Sequence, residues 1–162
     1  KICGYVHEQG KPSVIVMNKW DLIEKDTNTI NEFNKKLDCD LAFMDYYKSV
    51  YVSALSGQRV KNILAVAMES YENAHRRITT GTLNDLIGDA VRTIDPPSKK
   101  GKRLKIYYST QDDVCPPRFV VFVNDSELVH FSYKRYLENV LRKAFDFSGT
   151  PVRILFRNRD ED

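Results

Sequence analysis

At 162 residues, 42% of them apolar and 29% charged, the chain suits one soluble domain or two small ones with a real core. It has no apolar run near the roughly 18 residues of a membrane helix and no signal-peptide pattern at its start, so no membrane contact is expected. The net charge of +3 is mild, and Cys3, Cys39 and Cys115, odd in number and far apart, fit neither a disulfide framework nor a zinc site; a reducing, cytoplasmic setting and no metal site follow. Because the chain begins with Lys1 rather than Met, it is expected to be an excised piece of a longer protein.

Residues 1–9 read as the end of a helix stopped by Gly10 and Pro12. The apolar run Ser13-Val14-Ile15-Val16-Met17 then predicts a buried parallel strand. Thr29 with Glu32 predicts a capping box ahead of Ile30, Phe33, Leu37 and Leu41, whose spacing by three and four makes an amphipathic helix. A second strand, Ser49 to Val52, runs into Ser53-Ala54-Leu55-Ser56-Gly57, and the next helix carries Val60, Ile63, Leu64, Ala67, Met68 and Tyr71 as its apolar stripe. Helix, strand, helix, strand, helix is the order of the second half of a doubly wound α/β domain. A boundary near Arg77 to Gly81 divides the chain into residues 1–79 and 80–162. Beyond it, Thr82 with Asp85 resembles a cap for a helix bearing Leu83, Leu86, Ile87, Ala90, Val91 and Ile94. A Pro-Pro-Ser-Lys-Lys-Gly linker and strands over Leu104 to Thr110 and Arg118 to Val123 follow. A helix from Ser132 and a strand over Val152 to Phe156 complete an αββαβ unit. The fold class is α/β followed by α+β.

The chemistry concentrates in Asn18-Lys19-Trp20-Asp21, directly behind the first strand, where open α/β sheets bind ligands. Guanine presents donors at N1–H and its exocyclic amine and acceptors at O6 and N7. Asp21 can accept from the first edge without donating, and Asn18 can donate to the second while tying neighbouring loops together. The Lys19 stem can lie along the base with its ammonium in water. Adenine would leave these groups unpaired, and sites of this kind reject the wrong ligand by about four orders of magnitude. The loop of Ser53, Ala54 and Leu55, at βαβ spacing, can bring the Ala54 backbone N–H to O6 of the same base. The bland alternative is a polar strand-to-loop turn.

A GTP hydrolase also needs the phosphate cradle G-x-x-x-x-G-K-[ST], and none is present. Gly4 to Gly10-Lys11-Pro12 has one residue too many between the glycines and Pro at the hydroxyl position. The D-x-x-G matches at Asp85 to Gly88 and Asp146 to Gly149 lie downstream of Asn18 and are assigned to structure. No catalytic residue is expected, and the chain should not hydrolyse GTP.

These residues resemble the bacterial GTPases with two tandem G domains followed by a KH-like domain, the EngA or Der family. The resemblance spans essentially the whole chain and rests on Val16 to Leu22, Ser53 to Gly57, Thr82-Leu83-Asn84 and Tyr107 to Gln111. It continues through Pro116 to Phe119 with Phe122-Val123-Asn124, Ser132 to Asn139, and Phe147 to Pro151. It implies the C-terminal half of a P-loop-type second G domain plus a KH-like domain, from a GTP-switched factor in maturation of the large ribosomal subunit. Guanine-binding residues would be Asn18, Lys19 and Asp21 with Ser53, Ala54 and Leu55. GTP or GDP, Mg²⁺ and a K⁺-type cation would belong to the intact parent, with none bound tightly by this piece. Partners would be the large subunit or rRNA and the parent's own G domains.

RNA-binding KH modules clamp nucleotides with G-x-x-G, yet no two of the seven glycines are three apart. RNA contact would then rest on Lys99, Lys100, Lys102, Arg103 and Lys105, with a solvated basic linker as the alternative. Tyr107-Tyr108 and the Phe119/Phe122 pair could offer stacking surfaces, though aromatics alternating in strands are more often core. A rival function is an rRNA-binding or ribosome-binding module in which the α/β part is scaffold only.

Overall fold

The computed structural model describes residues 1–24, 26, 28–99 and 101–159. It forms two compact units, Lys1–Ala74 with Phe147–Pro151, and His75–Asp146 with Val152–Asp162. The second set differs from the expected 80–162 at two places: it takes in residues 75–79, and residues 147–151 group with the first unit.

The first unit runs α1 (Ile2–Glu8), β1 (Val14–Met17), α2 (Thr29–Asp40), β2 (Lys48–Tyr51) and α3 (Lys61–Ala74). β1 and β2 pair in parallel, Val14 opposite Lys48 through Met17 opposite Tyr51, with α2 in the crossover that parallel pairing requires. Buried Leu41, Met44 and Tyr46, packed with Ile15 and Leu37, hold the crossover down. The strand is less buried than its apolar sequence predicts: Val16 is 40% exposed. The expected apolar stripe of α3 also lies open in part, with Leu64, Met68 and Tyr71 all more than half exposed. A sheet of two strands is too narrow to cover either element.

Two helix caps correct the sequence reading. At α2 the free N–H groups of Asn28 and Thr29 are taken by the Asp26 carboxylate, at 2.7 and 2.8 Å, so Thr29 begins the helix and is not its cap. At α4 (Thr80–Thr93) the cap is Thr79, whose hydroxyl accepts from the Thr82 N–H at 3.3 Å. At α2 the N-cap is Asn28, served by a carboxylate two residues further upstream, and at α4 the cap moves three residues upstream from Thr82 to Thr79, outside the first turn.

Residues 147–151 close the first unit. The Gly149 N–H donates to the Tyr46 carbonyl at 2.6 Å and its carbonyl accepts from Ser13 N–H at 2.8 Å, so one residue ties together the segments entering β1 and β2. Asn73 Nδ2 donates to the Ser148 carbonyl at 3.0 Å, while Phe147 and Thr150 are buried.

The second unit contains α4, a hairpin of β3 (Ser98–Lys99) and β4 (Lys102–Arg103), β5 (Ile106–Asp113), β6 (Arg118–Val123), α5 (Phe131–Ala144) and β7 (Arg153–Asn158). The hairpin occupies the stretch expected to be a linker. A separate three-stranded sheet has the order β5-β6-β7, antiparallel then parallel. Leu83, Ile87 and Ala90 of α4, and Tyr133, Leu137 and Leu141 of α5, are buried together with Phe119, Val121, Val123 and Ile154 of the sheet. Asn84 seals the free edge of β5, its amide donating to the Ser109 carbonyl at 2.8 Å and accepting the Ser109 N–H at 2.7 Å. Among the described residues no helix is long and apolar enough to cross a membrane.

Candidate guanine-binding site

The loop after β1 is held by β2 before it meets anything else. Val52 N–H donates to the Met17 carbonyl at 2.9 Å and Trp20 N–H to the Val52 carbonyl at 3.0 Å, which carries the parallel ladder into the motif. Trp20, only 3% exposed, packs its ring against Tyr51 and edge-on to Phe33, at centroid distances of 4.5 and 5.3 Å. Tyr51 is fixed in turn, its hydroxyl donating to Asn34 Oδ1 at 2.7 Å. Trp20, to which no base contact was assigned, is therefore the anchor of the loop. Lys19 takes a left-handed backbone, φ 62°, which costs a non-glycine residue about 1 kcal/mol or more and turns the chain into the short 3₁₀ segment Trp20–Leu22.

Asn18 joins the two loops. Its Oδ1 accepts the Lys19 N–H at 2.8 Å and the Ala54 N–H at 3.0 Å. Two backbone donors on one atom identify that atom as the oxygen and leave Nδ2 as the end able to donate to a ligand. The Ala54 N–H, expected to face a base O6, donates here to the Asn18 oxygen. Around this bond lies an open cavity of about 520 Å³ lined by Asn18, Lys19, Asp21, Leu22, Ala54 and Leu55. Leu22 and Leu55 are 72% and 91% exposed, apolar walls suited to the faces of a planar ring. Five of the six residues expected at the site thus line one cavity. Ser53 does not: it is fully buried, its hydroxyl accepts the Ser56 N–H at 3.2 Å, and its backbone bridges to Gln58, so it braces the loop from below. Trp20 and Leu22 join the expected residues, the first as the anchor of the loop and the second as a wall of the cavity; the sequence signal for each is an apolar side chain inside a polar loop.

The basic cluster is distributed differently. Lys99, Lys102 and Arg103 stand on the β3–β4 hairpin, while Lys100 lies outside the described residues. Lys102 Nζ pairs with Asp125 at 3.0 Å and Arg103 with Asp95. The Lys102 hydrogen bond, with the Glu127 N–H, holds the Asp125 carboxyl below its usual range. Lys105 is tied by its backbone, its N–H donating to Asn124 Oδ1 at 2.8 Å. Of the two D-x-x-G matches, Asp85 to Gly88 lies within α4, and Gly149 of the other is the residue that joins the entries to β1 and β2.

Comparison with known proteins gives the family. Residues 77–157 match the family model described as the KH-domain-like of EngA bacterial GTPase enzymes, C-terminal. Over its whole length the chain is 52% identical to the GTPase Der of Acetivibrio thermocellus and 56% identical to that of Ruminiclostridium cellulolyticum, covering 37% of each. The GTPase Der of Clostridium tetani is 53% identical over 161 residues, 99% of this chain and again 37% of that protein. The chain thus spans little more than a third of the length of these curated relatives, and it belongs to the EngA, or Der, family of bacterial GTPases.

Proposed function

We propose that this chain is the C-terminal part of a longer cytoplasmic GTP-binding protein. Its first unit is the closing half of a G domain that reads the guanine base, and the whole protein acts in maturation of the large ribosomal subunit. The observation that carries the base reading is the single open cavity that Asn18 and Asp21 share with Leu22 and Leu55, around which the Ala54 N–H to Asn18 Oδ1 bond ties the two expected loops while leaving the Asn18 amide nitrogen as donor. Asp21 lines the same cavity and in this reading would accept from N1–H and the exocyclic amine. Leu22, Leu55 and the Lys19 stem supply apolar cover for the ring. The exposed stripe of α3 and the edge of β1 that no described strand pairs support a sheet that continues in the longer protein.

The donor set fits the base and stops there. Among the described residues no three His, Cys, Asp or Glu side chains gather where they could hold a metal, and the sequence has no phosphate cradle. Phosphates and Mg²⁺ would be held by other parts of the longer protein, where Mg²⁺ would supply charge neutralisation. This chain alone is inert toward GTP in this reading.

The test is nucleotide binding by the longer protein. Asp21→Asn should exchange guanine preference for xanthine, which carries an oxygen where guanine carries its amine. Asn18→Asp keeps an oxygen for the Ala54 and Lys19 N–H groups but turns a second one to the base. It should weaken guanine binding with the loop intact, whereas Asn18→Ala should loosen both. Indifference to Asp21→Asn would sink the base reading, and GTP turnover by the 162-residue chain would sink its inertness.

A further inference from the structure

We propose that Tyr51 and Asn34 are positioning residues for guanine selection: the hydrogen bond between them sets the ring on which Trp20 rests, and Trp20 sets Asp21. Their role rests on the guanine reading above and places two determinants of it outside the cavity, which neither residue lines.

The two groups that read the base are supported from different sides. Asn18 is held by hydrogen bonds, its Oδ1 accepting the Lys19 and Ala54 N–H groups. Asp21 stands between a buried neighbour, Trp20, and an exposed one, Leu22, so the buried ring locates it. The cross-strand bond from Trp20 N–H to the Val52 carbonyl tolerates a range of angles and does not fix the tilt of the turn that follows. A wide ring packed at set angles on two others does. Trp20 lies tilted by 52° on Tyr51 and edge-on to Phe33. Tyr51 is 8% exposed, and its hydroxyl donates to Asn34 Oδ1 at 2.7 Å. Phe33 and Asn34 are consecutive on α2, so one stretch of that helix supplies both a ring against Trp20 and the acceptor that holds the other ring.

A second tie of the same kind separates this role from plain bracing. One helical turn further along α2, Asp38 accepts from the Tyr47 hydroxyl, also at 2.7 Å. Tyr47 packs against the cluster of Leu41, Met44 and Tyr46, whereas Tyr51 packs against the anchor of the guanine loop. Either bond holds α2 to the segment of β2. The Tyr51 bond also carries the position of Asp21.

The experiment is calorimetric titration of the longer protein with GDP and with inosine diphosphate, whose base lacks the exocyclic amine and offers Asp21 one donor instead of two. The part of GDP binding that Asp21→Asn removes belongs to this site. Within that part, Tyr51→Phe and Asn34→Leu should each weaken GDP roughly three- to ten-fold, the worth of one internal hydrogen bond, and inosine diphosphate by less, so that the preference for guanine narrows. The double variant should be no worse than Asn34→Leu alone, because it leaves no buried hydroxyl unpaired. Tyr47→Phe, which breaks the other tie, should leave the preference unchanged. Equal losses for the two nucleotides, the same narrowing in Tyr47→Phe, or unchanged affinities in Tyr51→Phe and Asn34→Leu would overturn the proposal while the guanine reading stands. Full GDP binding in Asp21→Asn would sink that reading and the proposal with it.

Discussion

Replacing Gly149 with Ala asks how much the first unit depends on residues 147–151. Gly149 has φ +80°, where an L side chain costs roughly 1–2 kcal/mol. The new Cβ would also stand 2.1 Å from Ser70 Oγ, 2.5 Å from Ser70 Cβ and 3.2 Å from its Cα. Ser70 is 1% exposed and its hydroxyl donates to the Val66 carbonyl at 2.9 Å, so it has no room to withdraw without moving α3. Overpacking of this kind costs about 1–3 kcal/mol, for a total of about 2–5 kcal/mol. Urea unfolding followed by fluorescence measures the loss in the right place, because the single tryptophan, Trp20, belongs to the first unit. Ser70→Gly removes the two nearest atoms, so the double variant should recover the steric share while the cost of the left-handed backbone remains. A loss below about 1 kcal/mol for Gly149→Ala, or no coupling between positions 70 and 149, would refute the idea that this segment is a fitted part of the first unit.

Trp20→Ala should cost about 3–5 kcal/mol, the usual range for emptying a buried aromatic site, and should release the guanine loop; far-UV circular dichroism during thermal unfolding reads the first effect. Asp26→Ala should fray the start of α2, seen as faster amide exchange at Thr29 and Ile30. Hydrogen bonds from the Asn28 N–H and Thr29 hold the Asp26 carboxyl below 3.8, so its contribution is present above that pH and fades as pH falls through the lowered value. Burial, then the hydrogen bond to Asp38, pushes the Tyr47 phenol up to about 12. The folded state thus favours the neutral phenol, and stability should fall as pH rises from 10 toward 12; Tyr47→Phe should remove one late-ionising phenol from the ultraviolet titration and lessen that fall.

Strands and helices were legible because apolar residues recur at the periods that burial imposes. Val14 to Met17 and Arg118 to Val123 are strands where runs of β-branched and aromatic residues stand, and α5 buries Tyr133, Leu137 and Leu141 at spacings of four. Caps were less legible. Several polar side chains stand near each helix start, and the one that bonds depends on the path of the entering loop, which periodicity does not encode. Least legible was the role of Phe147 to Pro151. Asn73 and Ser148 are 75 residues apart in the chain, and no local pattern announces a contact at that distance. The openness of the α3 stripe was hidden for a related reason: spacing shows that a face is apolar, while the neighbours decide whether it is covered.

Side-chain amides satisfying backbone groups recur through this fold, which sharpens what is special about Asn18. Asn84 binds both polar groups of Ser109, Asn124 binds the Lys105 N–H and the Arg103 carbonyl, and Gln111 binds the Ile78 N–H and the Arg76 carbonyl. In each of these three the oxygen and the nitrogen are both engaged with backbone, and each amide is at least half buried. Asn18 spends its oxygen in the same way on Lys19 and Ala54, so that bond alone marks a loop tie and not a ligand site. Three further facts separate it: Asn18 is exposed, Asp21 lines the same cavity, and two leucines hold that cavity open with apolar walls in water. A loop tie needs none of these. A reader of a flat ring with one donor edge and one acceptor edge needs all of them.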